Sequence, residues 1–147
     1  MAIIFLPKKA PTNRYIKLVT LPSPDYEETI LTGLTGEVSG WGQTLNSTEN
    51  QEILRWTEVT IIPNSICQMY YEENRITSKI LCATNNYAGF CHGDHGGPLV
   101  IDSDGELLQV GVASFCHRTC TDETPGAYSK VTAYMEWITR TAEIRDD

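Results

Sequence analysis

Positive charge is scarce in this chain. Eleven Lys and Arg stand against 19 Asp and Glu, a net charge of −8, and the basic residues do not cluster. A nucleic-acid partner needs a basic face against its phosphates, so none is expected. Long apolar runs are missing too. Ala2 to Leu6 is typical of those present, far short of the roughly 20 residues that a membrane-spanning helix requires. The Cys-x-x-Cys spacing is absent, which argues against a structural zinc site. Met1-Ala2-Ile3-Ile4-Phe5-Leu6 has no charged n-region and no small-residue cleavage site, so it reads as a strand rather than a secretion signal.

What is present fits one folded domain of 147 residues, 41 % hydrophobic and 20 % charged. Five cysteines (Cys67, Cys82, Cys91, Cys116 and Cys120) suit an oxidising compartment, but an odd count leaves one over. Asn46-Ser47-Thr48 is a glycosylation sequon and agrees with secretion. Six segments read as strands between turns: Glu37 to Trp41, Leu54 to Ile62, Ile80 to Thr84, Pro98 to Ile101, Leu107 to Phe115 and Gly126 to Val131. An all-β sandwich or closed barrel follows. Asn64 is placed to cap a short helix through Tyr71. A final helix opens at Thr132 or Ala133, with Tyr134, Trp137 and Ile138 on one apolar face. Residues 1 to 30 stand apart as one apolar strand and a proline-punctuated linker, and 31 to 147 form the domain proper.

Chemistry concentrates in Cys91-His92-Gly93-Asp94-His95-Gly96-Gly97-Pro98-Leu99-Val100. Its glycines and proline describe a tight turn that exposes backbone before an apolar strand. Two polar side chains, Asp94 and His95, sit inside that turn.

Gly93 to Val100 resembles the GDSGGPLV nucleophile turn of the chymotrypsin-like (trypsin family) serine proteases at every position but one, where His95 replaces serine. Other segments resemble the same family in order: Ser39-Gly40-Trp41-Gly42, Ile61 to Cys67, Leu81-Cys82-Ala83, Ser114-Phe115, Thr124 to Val131 and Glu136-Trp137-Ile138. The resemblance implies the second six-stranded Greek-key barrel of a two-barrel protease, with its C-terminal helix. Ala2 to Leu6 resembles the strand that follows the family's catalytic aspartate. That aspartate and the catalytic histidine are accordingly expected upstream of Met1, which would then be an internal methionine of a longer reading frame. A missing secretion signal has the same explanation, and the localisation implied is extracellular.

The resemblance also assigns site residues. The backbone amides of Gly93 and His95 take the oxyanion-hole positions, and Asp94 takes the position that pairs with a newly cleaved N-terminal ammonium. Without that ammonium, Asp94 is expected to be buried unpaired, to swing outward, or simply to cap backbone amides of its turn. Gly89, Phe90, Ser114, Phe115, Cys116 and Gly126 line the specificity pocket. Gly89 leaves its base uncharged, Phe90 and Phe115 make it more aromatic or merely fill the core around it, and Cys116 crowds its entrance. The disulfides implied are Cys67–Cys82 and Cys91–Cys120, leaving Cys116 over.

A serine hydroxyl needs a histidine base and an orienting carboxylate to attack an amide. With His95 in its place the expectation is a serine protease homologue without catalysis, needing no cofactor and acting by binding another protease, an inhibitor or a peptide. The alternative is a fragment or erroneous gene model of an active secreted endopeptidase, which codon 95 discriminates. His92, His95 and His117 beside Cys116 are metal-ligating types, but the preferred reading is two exposed histidines, a partly buried His95 in place of serine, and no metal site. The half-barrel expectation adds that the isolated chain self-associates through uncovered apolar surface.

Overall fold

The computed structural model describes residues 1–23, 26, 31–44, 51–85, 88–116 and 124–142. Six antiparallel strands close a barrel: β1 (Thr35–Gly40), β2 (Arg55–Ile62), β3 (Ile80–Thr84), β4 (Pro98–Ser103), β5 (Glu106–Phe115) and β6 (Gly126–Lys130). Their order around the barrel is β1-β2-β3-β6-β5-β4. Closure removes free sheet edges. Alternation along the strands turns Val38, Val59, Ile61, Leu81, Ala83, Leu99, Ile101, Leu108, Val110 and Tyr128 into one core.

Local chemistry sets the connections. β4 and β5 meet in a two-residue hairpin whose central residues, Asp104 (φ 56°) and Gly105 (φ 86°), are both left-handed. That turn matches the twist of paired strands, and the Asp102 carboxylate accepts from Gly105 N–H at 2.7 Å. The short helix Asn64–Cys67 continues into a 3-10 turn at Gln68–Tyr70. Its N-cap is Pro63, not Asn64. The Asn64 side chain instead donates to the carbonyls of Thr77 and Ile80 at 3.1 and 3.0 Å, fastening the helix to the entry of β3. Cys67 and Cys82 form a disulfide across the same junction. The C-terminal helix Met135–Ala142 follows a 3-10 turn at Val131–Tyr134, and its Trp137 and Ile138 are half-buried.

The described residues before β1 fall into a free segment and an anchored one. Ala2 to Leu6, read above as a strand, pairs with no other segment among the described residues. A strand exists only through a neighbour's hydrogen bonds, and here Ile4, Phe5 and Leu6 are 84, 67 and 64 % exposed. The proline-rich passage, by contrast, is anchored from Thr20 onward. Thr20 forms a parallel bridge with Leu108, its N–H donating to Leu107 O (3.2 Å) and its carbonyl accepting from Gln109 N–H (2.9 Å). Pro22 is fully buried and Tyr26 packs on the main core. Proline periodicity hid this because a single bridge carries no alternation pattern.

Two outcomes follow. C67S or C82S opens a loop with a sequence separation of 15 residues, and should lower unfolding stability by about 3 kcal/mol, read as an earlier urea midpoint at unchanged slope. Deleting Met1 to Leu6 should reduce self-association in sedimentation velocity while leaving the barrel's unfolding midpoint in place. An intact chain that sediments as a monomer at high concentration would contradict it.

Candidate functional site

The site begins at the end of β1. Ser39-Gly40-Trp41-Gly42 runs directly against the turn 91–97, and the contact between them is the Asp94 carboxylate. Asp94 Oδ1 accepts from Gly42 N–H at 2.7 Å and Oδ2 accepts from Cys91 N–H at 3.1 Å. A Cβ on Gly40 would lie 1.9 Å from Asp94 Oδ1, and one on Gly42 would lie 2.5 Å from the carboxylate. Only glycine fits at either position. Asp94 therefore points inward and is half-buried, capping backbone amides rather than standing unpaired or swinging out.

The turn is tied down on its other sides as well. Asp94 N–H donates to Cys91 O (3.0 Å), Gly97 N–H to Asp94 O (2.9 Å) and Gln43 N–H to His92 O (2.8 Å). Gly96 N–H donates to Ala113 O (2.9 Å), and Ala113 N–H returns to Gly97 O (2.8 Å). Gly93 adopts φ 101°, with its Cα side against Gly42. In this arrangement the amides of Gly93 and His95 form no hydrogen bond to the described residues, and both residues are exposed. These are the two N–H groups that the resemblance assigns to an oxyanion hole, a role that backbone donors of this kind can fill.

Beneath them lies Phe90. Its ring is 5 % exposed, belongs to the main core, and meets Tyr128 edge-on at 4.9 Å and His95 edge-on at 5.6 Å. A Cβ on Gly126 would come within 2.8 Å of that ring. Phe90 thus fills the space between Gly126, Tyr128 and His95. At Gly89, by contrast, a Cβ would meet nothing within 4 Å. Ser114 and Phe115 are half-buried at the end of β5. Phe115 receives Tyr71 edge-on at 5.3 Å and the Arg75 guanidinium over its face at 4.6 Å. The Tyr71 hydroxyl donates to Pro125 O, tying this wall to the entry of β6. Sequence reasoning missed Tyr71 and Arg75, which carry no motif and reach Phe115 only through the fold.

His92 and His95 stack with ring centroids 6.1 Å apart. No group of three metal-ligating side chains converges among the described residues. His117, Cys120 and the sequon Asn46 lie outside the described residues. Cys91 is disulfide-bonded, but the pairing expected with Cys120 lies outside the described residues too. Cys116 carries a thiol and packs on the core.

Burial, with Asp94 adding repulsion, pushes the Cys116 thiol up from 9.0. Burial is also the main cause at Tyr71, where Cys116 adds to it and Arg75 opposes it, and the phenol rises from 10.0 to about 12. Tyr128 is raised as well by burial, and its hydroxyl finds no hydrogen-bond partner among the described residues. All three resist deprotonation in the folded state. The unfolded chain therefore releases protons first, and stability falls as pH rises above 9 and on toward 12. Thermal unfolding midpoints should be insensitive to these groups at neutral pH and should drop above pH ~9. C116A should flatten the earliest part of that fall, and iodoacetamide should label Cys116 slowly at neutral pH.

The arrangement has known counterparts. HL collagenase, solved at 1.7 Å resolution, superposes with a TM-score of 0.84 at 29 % identity, over 95 % of this chain and 59 % of that one. This chain spans just under three-fifths of the collagenase's length. The family model described as Trypsin matches residues 1–138, from the N-terminal apolar segment into the last helix. The chain belongs to the trypsin family and carries a trypsin-like serine protease domain.

Proposed function

We propose that this domain acts by binding and does not hydrolyse peptide bonds. The observation that carries the reading is residue 95. Where the family's turn presents a serine hydroxyl, this chain presents an imidazole resting edge-on against the buried Phe90 ring. An imidazole can attack an activated ester, but the acyl-imidazole formed is high in energy, and the geometry that lets a histidine base activate a serine has no counterpart when the nucleophile is itself a ring.

Phe90 supports the same reading. Its ring lies against Gly126, where the family resemblance puts the specificity pocket, so an aromatic core residue borders the space that a substrate side chain would enter. The Gly93 and His95 amides survive the substitution, because backbone donors do not depend on the side chain they bracket. What is retained is the capacity to hold a peptide, and what is altered is the group that would attack it. Family membership and the Cys67–Cys82 disulfide are consistent with an extracellular protein.

A fluorophosphonate probe, which modifies activated serines, should leave residue 95 unlabelled by intact mass, and peptide substrates of varied sequence should survive prolonged incubation with the full-length protein. Independent transcripts should carry a histidine codon at position 95. A serine codon there, or turnover that active-site titration assigns to this chain, would establish the active endopeptidase instead.

A further inference from the structure

The face around the nucleophile turn carries a cation and donors, on a chain whose net charge is −8. Arg75 is exposed, follows the 3-10 turn Gln68–Tyr70, and no ion pair holds it among the described residues. Its guanidinium lies 4.6 Å over the Phe115 ring, and Phe115 is in turn braced edge-on by Tyr71. A guanidinium held over a ring at the surface keeps its N–H donors available, and a planar fork of donors can receive a carboxylate bidentately. The second feature is the pair of uncommitted amides at Gly93 and His95. The two are joined through β5: Ala113 bonds to Gly96 and Gly97 of the turn, and Phe115 lies two residues further along the strand. At about 3.3 Å per residue a few residues of extended peptide cover that span.

We propose that this face recognises an acidic peptide segment. The peptide's C-terminal carboxylate accepts from the Gly93 and His95 N–H groups, and an Asp or Glu two to four residues upstream pairs with Arg75 against Phe115. The proposal rests on the reading of a binding domain and names its ligand class. Charge complementarity selects the occupant, because both anchors offer only donors. Among the described residues no carboxylate forms an ion pair with Arg75. The Asp94 carboxylate is turned toward Gly42 and Cys91, and Glu72 and Glu73 are exposed on the turn that precedes Arg75. With the chain negative overall, attraction is confined to short range and should be sensitive to salt.

Fluorescence anisotropy with a fluorescein-labelled hexapeptide tests this, using one Glu three residues before a free C-terminus. The same peptide with Gln for Glu, and one ending in an amide, serve as comparisons. The Glu peptide should bind roughly tenfold more tightly than either. R75Q should abolish the Glu/Gln difference while leaving the thermal midpoint unchanged, and R75K, which keeps the charge but loses the fork, should retain only part of it. Equal binding of the Glu and Gln peptides, an R75Q variant that still discriminates, or no binding by any peptide would each overturn the proposal. Cleavage of the peptide, read by mass in the same samples, would overturn the non-hydrolytic reading while leaving Arg75 recognition standing.

Discussion

The Asp94 carboxylate organises this half of the molecule. It joins two segments far apart in sequence, the end of β1 at Gly42 and the turn beginning at Cys91, through two N–H bonds to its two oxygens. The bonds require close approach, and the glycines at 40 and 42 are what permits it. With the carboxylate fixed inward, the residues on either side, Gly93 and His95, are exposed. Ionised acceptors on backbone amides give some of the stronger hydrogen bonds available to a protein. In the family resemblance this aspartate waits for an ammonium. Here the Gly42 and Cys91 N–H groups hold it inward.

The same geometry involves two kinds of group, the turn's backbone and one side chain. The backbone of the turn is held by hydrogen bonds to Ala113, Cys91 and Asp94. Attacking a carbonyl is a property of one side chain, and position 95 of this turn is a histidine. Phe90 then couples the change to the core: its ring is shared between Tyr128 below and His95 above, so the side chain at 95 rests on packing rather than standing free in the turn. Replacing either residue alone alters the support of the other, and effects at contacting residues of this kind are not additive.

How much of this was legible in the sequence varies with the kind of interaction. Strand positions were recovered closely, because alternation and turn residues are local signals: Ile80–Thr84 is as read, and Arg55–Ile62 differs by one residue. The nucleophile turn was legible because its motif is contiguous. Asn64 misled because cap preference describes an average helix, whereas here the side chain has better acceptors in Thr77 and Ile80. Thr20 was hidden by its isolation, since one bridge to β5 has no period. Arg75 on Phe115 was hidden for a different reason. Forty residues separate the two in sequence, and only barrel closure brings the loop after the short helix over the end of β5.

Barrel closure also explains why the aromatic wall is stiff enough to orient a cation. Tyr71 is held at its hydroxyl by Pro125, a fully buried residue at the entry of β6, and β6 is itself paired to both β3 and β5. The helix that leads to Tyr71 is in turn bound to β3 by the Cys67–Cys82 disulfide and by Asn64. Phe115 is thus gripped from β5 on one side and from the helix–β3 junction on the other. Loosening that junction leaves the barrel's hydrogen-bond ladders intact but frees Tyr71 and Arg75 to move together. The junction that carries Tyr71 and Arg75 is thus fastened by the disulfide, while the nucleophile turn is anchored separately through Asp94 and Ala113.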